Sequence, residues 1–204
     1  MLKPSKIIAI GLNYYDHARE LKMPVPDHPI MFMKPSTSAI KNGQPIIYPP
    51  QSRNVHYEGE LAVILGRKAR NIQRSEVKKY IKGYTCANDV TARDLQNIDG
   101  QWTRAKSFDT FCPLGPKVVN DLDPANLKIQ TRVNGRVKQD SNTKNMIFDV
   151  FELVSFVSSV MTLLPGDVII TGTPPGVGPL EIGDAVEVEI EGIGTLKNKV
   201  IRGK

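Results

Sequence analysis

The chain has 204 residues, 27 basic against 21 acidic side chains, a formal charge of +6 and 40% hydrophobic content. That size suits a single domain over residues 1–204, and the composition is ordinary for a soluble globular protein. A membrane span is excluded by apolar runs as short as Ile7–Ile10 against the roughly 20 residues a spanning helix needs, and the basic excess comes with no nucleic-acid motif.

Met1 to Lys6 is basic, but the apolar stretch behind it is too brief for a signal peptide, so a cytoplasmic location is expected. Cys86 and Cys112 lie outside any Cys-x-x-Cys pattern and read as buried thiols. The mild basic clusters at Arg67 to Arg70 and Lys197 to Lys199 read as solvated surface, and the net positive potential helps draw in small anions.

In chain order, Ile7 to Leu12 predicts a strand and Asn13 to Leu21 a short helix, capped by Asn13 and stopped by Pro24 and Pro26. Met31 to Met33 predicts a strand, and Tyr48-Pro49-Pro50 a loop. Val55 to Leu65, rich in β-formers and closed by Gly66, predicts one strand. Ser75 to Ile81 reads as a short helix capped by Ser75. Gly83 to Asn88 reads as a strand closed by Asp89, and Thr91 to Gln96 as a helical turn. Asn134-Gly135 is a strong hairpin signal between Lys128 and Lys138. Ile147, Phe151, Val154, Val157 and Met161 fall at helical spacing within Asn145 to Leu163, which Pro165-Gly166 ends. Strands follow at Val168 to Thr171, at Val186, Val188 and Ile190 alternating with acids, and at Thr195 to Ile201. Many short strands with few helices make the fold class α+β, mainly β.

Two features carry chemistry. Glu58 and Glu60 are two apart, so on one strand they project from one face. Two acids projecting together repel unless neutralised, and a hard divalent cation with oxygen ligands does so. Asp89 supplies a third carboxylate. Each also has a plainer reading, an exposed acidic face for the glutamates and a turn cap for Asp89. His17 and Glu20, three apart, share a helix face, although Asp16, Arg19 and Lys22 would equally suit a solvated helix. His56 shares the face of the glutamates and is read as packing, because an all-oxygen site prefers carboxylates and water. The Thr171 to Gly178 loop lacks the Lys-Ser/Thr ending of a phosphate loop.

Glu58-x-Glu60, Asn88 to Gln96, Trp102 to Asp109 and Thr171 to Gly178, in this order, closely resemble the fumarylacetoacetate hydrolase family, especially its short acylpyruvate hydrolase and oxaloacetate decarboxylase members. The resemblance implies a mixed β-roll, a homodimer, and Mg²⁺ or Mn²⁺ on Glu58, Glu60 and Asp89. It places Arg93, Gln96 and Thr173 on the substrate, with Lys106 stabilising a carboxylate or enolate. Lys106 lies between Trp102 and Phe108, a neighbourhood apolar enough to lower its pKa. It makes His17, oriented by Glu20, the base for a hydrolytic water, on a helix that closes over the substrate. Ile10 stands where fumarylacetoacetases carry a further acid, and their extra N-terminal domain is absent from this sequence, so fumarylacetoacetate itself is not the expected substrate.

The implied activity is hydrolysis of a C–C bond in small acylpyruvate-type 2,4-dioxo acids through a pyruvate enolate. Oxaloacetate decarboxylation and the tautomerisation or isomerisation of oxaloacetate or hydroxy-dienedioates are the alternatives. A catalytically weak 2-oxo-acid binder or oligomer subunit is the reading from a different class.

Overall fold

The computed structural model describes residues 4–203. Seven strands form a mixed sheet in the spatial order Ile30–Lys34, Ile7–Gly11, Val168–Ile170, Gly59–Leu65, Ile81–Asn88, Cys112–Val119 and Ala39–Lys41. Ile7–Gly11 runs parallel to Val168–Ile170, and Ala39–Lys41 parallel to Cys112–Val119; the other neighbours are antiparallel. A five-stranded sheet holds Arg136–Asn142, Lys128–Val133, Ala185–Ile190, Gly194–Arg202 and Ile46–Tyr48, and a small sheet pairs Val55–Tyr57 with Gly178–Pro179 and Thr91–Ala92. The architecture is the expected mainly β, mixed roll.

Alternation in Gly59–Leu65 assigns its side chains to two faces. Leu61, Val63 and Leu65 join a core with Ile8, Leu153, Val157, Val188 and Ile190, which brings the helix Val150–Val160 and the five-stranded sheet onto one side. Ala62 and Ile64 join Ile7, Ala9, Ala87 and Ile170 in a second core. Glu60 falls in this second row. The Asn134-Gly135 turn has φ of 51° and 76°, the left-handed pair a two-residue hairpin demands.

Several elements differ from their sequence expectation. Val55 to Leu65 is two strands, Val55–Tyr57 and Gly59–Leu65, belonging to different sheets and joined at Glu58. Asn13 does not cap the helix Tyr15–Glu20; its buried amide donates to Phe148 O and Thr171 O and its oxygen accepts from Phe148 N. The expected helix from Asn145 begins only at Val150, where Asp149 accepts the Glu152 N–H at 2.9 Å, and Met161 is already extended. Ser75 lies inside a 3-10 helix, Arg74–Lys79, rather than at its start. Tyr48 ends a strand, and Cys112–Val119, masked in the sequence by Pro113 and Pro116, is a full strand. Cys86 and Cys112 are buried and free. No helix among the described residues is long and apolar enough to cross a membrane.

The junction after Glu58 packs too closely for a side chain at residue 59. Gly59 N–H donates to Gln139 Oε1 at 3.0 Å, and a Cβ there would collide with Thr131 Oγ1 and lie 3.2 Å from Gln139 Oε1. Gly59→Ala is expected to cost about 1–3 kcal/mol from overpacking. Thr131→Ala removes a hydroxyl that has no partner and should restore much of that loss, a coupling that urea unfolding of the double-mutant cycle measures. Equal losses from Gly59→Ala with and without Thr131→Ala would refute this account.

Candidate active site

Glu58 and Asp89 are fixed to each other through the main chain. Asn88 Oδ1 accepts the Glu58 N–H at 2.9 Å, and the Glu58 carbonyl accepts the Asp89 N–H at 2.8 Å. Glu60 enters from the next strand, and its Oε2 accepts the Gly172 N–H at 2.7 Å. The three carboxylates are buried and offer oxygen atoms that all lie within 4.8 Å of one another.

Three cations from three separate segments face this cluster. Lys106 Nζ donates to Glu58 Oε2 at 2.8 Å and Asp89 Oδ2 at 2.6 Å. Lys34, fully buried at the end of its strand, donates to Asp89 Oδ1 at 2.5 Å and to Val90 O at 3.2 Å. Arg93 pairs with Glu58 through Nη2 and donates from Nη1 to Gln96 Oε1 at 2.6 Å. Arg93 and Gln96 therefore share one helix face, as their spacing predicts.

The charge balance is uneven. Burial would raise the Glu58 pKa, but Lys106 and Arg93 overcome it and hold the carboxyl at about 2. Among the described residues no cation is bonded to Glu60; burial first, then the charges of Asp89 and Glu58, raise its pKa well above the ordinary carboxylate value. Lys106 departs from expectation. Burial acts to lower its pKa, yet the adjoining Asp89 and Glu58 outweigh burial and raise it above the ordinary lysine value. An all-oxygen set with one under-compensated buried carboxylate fits a hard divalent cation. Glu58, Glu60 and Asp89 are the residues that would hold it.

His17 is buried and its Nδ1 lies 2.8 Å from Glu20 Oε2. Glu20 also accepts the Gly176 N–H, at 3.1 Å on Oε1, so the helix is fastened to the loop after Val168–Ile170. Thr173 Oγ1 donates to Gly59 O at 3.0 Å and accepts from Gln139 Nε2 at 2.8 Å; its hydroxyl proton is thus committed within the protein. His17, Glu58, Glu60, Asp89, Arg93, Gln96, Lys106 and Thr173 line one cavity of about 560 Å³, and Glu20 stands behind His17. His56 lines it too but lies outside the carboxylate cluster; it donates from Nε2 to Asn54 Oδ1, and burial with nearby Arg93 lowers its pKa to about 4.

Lys34 and Gln139 were not singled out in the sequence. Lys34 gives one weak signal, a charge ending the apolar Met31-Phe32-Met33 run. Gln139 gives none, because its partners Gly59, Thr173 and Pro174 are remote in sequence.

Residues 6–201 match the family described as fumarylacetoacetate (FAA) hydrolase C-terminal. An uncharacterised protein of Methanocaldococcus jannaschii is 64% identical over 98% of this chain and 84% of its own length. The mitochondrial oxaloacetate tautomerase Fahd2a of Rattus norvegicus is 47% identical, over 98% of this chain and 67% of its own. The crystal structure of 5-carboxymethyl-2-hydroxymuconate delta-isomerase from Mycobacterium smegmatis is 51% identical with a TM-score of 0.94, covering 99% of this chain and 80% of that one.

A cation held by Glu60 would bind in a pH-dependent way. A carboxyl whose folded pKa is raised contributes stability below its unfolded pKa and loses it as pH rises through the folded value. Without a cation, the Glu60 contribution is therefore present below about pH 4.5 and declines above it. A cation reverses the trend, because binding needs the deprotonated ligand. The Tm gap between Mg²⁺-loaded and chelator-treated protein is expected to widen with pH, and to shrink sharply in Glu60→Gln. A gap that stays constant from pH 5 to 8 would exclude this role for Glu60.

Proposed function

The chain belongs to the fumarylacetoacetate hydrolase family, and within it we propose an enzyme that cleaves a C–C bond in acylpyruvate-type 2,4-dioxo acids through an enolate. The observation that carries this reading is the His17–Glu20 pair held at the same cavity as the three-carboxylate cluster. Mg²⁺ or Mn²⁺ on Glu58, Glu60 and Asp89 would supply Lewis acidity toward the 2-oxo acid.

The protein's own groups divide the remaining work. With Nδ1–H donated to Glu20, His17 keeps a lone pair on Nε2 and takes a proton from water. The hydroxyl adds to the distal carbonyl; the C–C bond then breaks, its electron pair passing to the pyruvate enolate as a carboxylic acid is released. Lys106 offers its ammonium group, and Gln96 its amide, to the substrate carboxylate and the developing enolate. Arg93 holds Glu58 and Gln96 in place. The hydroxyl proton of Thr173 being taken, its main-chain N–H is the donor left for the carboxylate. Three carboxylates against Lys34, Lys106 and Arg93 are formally neutral, so a divalent cation leaves two positive charges. A monocarboxylate on its way to an enolate matches them.

A second reading is favoured by the relatives. Tautomerisation or decarboxylation of oxaloacetate, or isomerisation of a hydroxy-dienedioate, uses the same enolate without a water nucleophile, and two relatives are named for such reactions. A 2-oxo-acid binder without turnover is the remaining class. The proposal includes a homodimer of this chain in the cytoplasm, which sedimentation and localisation would check.

Purified protein is to be assayed with Mg²⁺ against acetylpyruvate, oxaloacetate and a hydroxy-dienedioate side by side. Chelation should abolish turnover and Mg²⁺ restore it. His17→Ala is expected to lower acetylpyruvate cleavage about 10²–10⁴-fold, the usual worth of a general base, while Mg²⁺ affinity holds. Cleavage at the unaltered rate would remove His17 from the mechanism; tautomerisation without any cleavage would favour the second reading.

A further inference from the structure

We infer that the outer half of the active-site cavity accepts an uncharged apolar group, so that the substrate class is a 2-oxo acid with a hydrophobic or aromatic distal substituent rather than a dicarboxylate. This deepens the 2-oxo-acid reading of the charged floor and rests on it.

The wall can be followed outward from Lys106. Its Nζ lies 5.1 Å from the centroid of the Phe32 ring. Phe32 meets Trp102 edge to face, with centroids 5.0 Å apart and planes at 78°. Trp102 lies so close over Gly11 that a Cβ at residue 11 would come within 2.7 Å of the indole, and Ile30 Cγ2 is 3.7 Å from the same point. Leu21, Met23 and Ile30 also line the cavity, with the uncharged amides of Gln96 and Asn97 beside them, yet the three apolar side chains are 47%, 49% and 38% exposed. Large apolar side chains left open at the mouth of a cavity mark a surface that a ligand covers.

Charge is confined to the floor. The charged side chains that line the cavity are Glu58, Glu60, Asp89, Arg93 and Lys106, and both cations are already paired with the carboxylates. Arg19 and Lys22, on and just after the His17 helix, are exposed and do not line the cavity. Among the described residues that line the cavity no cation is left unpaired to meet a second carboxylate, which would lie against Phe32, Trp102 and Met23. The volume, about 560 Å³, also exceeds what a four-carbon acid fills.

The sole tryptophan is Trp102, so its fluorescence reports occupancy without turnover. Mg²⁺-loaded protein is titrated with 2-oxo-4-phenylbutanoate, 2-oxobutanoate and 2-oxoglutarate, none of which has a 4-oxo group to cleave. The phenyl compound is expected to bind at least ten-fold more tightly than 2-oxoglutarate and several-fold more tightly than 2-oxobutanoate. Met23→Lys, a change at an exposed position, should improve 2-oxoglutarate several-fold and weaken the phenyl compound. Equal or tighter binding of 2-oxoglutarate by the unaltered protein overturns the apolar assignment alone. Failure of all three to bind while Mg²⁺ still binds overturns the 2-oxo-acid reading with it.

Discussion

Three carboxylates buried within reach of one another must be compensated by positive charge, and most of the architecture around them serves that requirement. Desolvating a carboxylate is costly unless it is paired and hydrogen-bonded. Lys106 therefore bridges Glu58 and Asp89, Lys34 takes the other oxygen of Asp89, and Arg93 closes on Glu58. A cluster of this kind is a poor way to stabilise a fold, since well-packed apolar residues of similar volume would do as well or better. Its presence at the floor of a cavity points to chemistry, and the under-compensated Glu60 marks where further positive charge would be accommodated.

Placing those charges takes backbone geometry that ordinary strand pairing does not provide. Glu58 sits where the chain leaves one sheet for another, which lets its carbonyl accept from Asp89 while its side chain turns to Lys106 and Arg93. Gln139 fastens this junction from the five-stranded sheet: one oxygen receives the Gly59 N–H, and one amide nitrogen reaches Thr173 Oγ1 and Pro174 O. The floor is thus tied to the 172–176 loop by a side chain whose hydrogen bonds go to Gly59, Thr173 and Pro174.

Much of this was legible from local pattern. The Asn134-Gly135 turn, the alternating Val186 to Ile190 strand and the spacing of His17 with Glu20 or Arg93 with Gln96 are short-range signals, and the structure brings each pair together. The ordered motifs carried the family and the mixed roll. Illegible were features decided by distant partners. Nothing near Asn13 announces Phe148 and Thr171, and nothing near Lys34 announces Asp89. The Lys106 pKa failed for the same reason: Trp102 and Phe108 are visible as apolar neighbours, whereas the carboxylates that reverse the shift come from elsewhere in the chain. Period-two reasoning set Glu58 and Glu60 on a common face but could not see the change of sheet between them.

Glu20 joins His17 to the rest of the site. One carboxylate orients the His17 ring and also receives the main-chain N–H of Gly176. The N–H can be bonded only while the helix Tyr15–Glu20 rests on the loop, so the orientation of the imidazole and the docking of the helix draw on the same oxygens. Leu21 and Met23 follow directly after that helix and form part of the apolar mouth. A substituent packing against them would press on the segment that carries His17. On the proposed reading, burial of the distal group and positioning of His17 would be one event, spending binding energy far from the carboxylates on geometry at the reacting carbonyl.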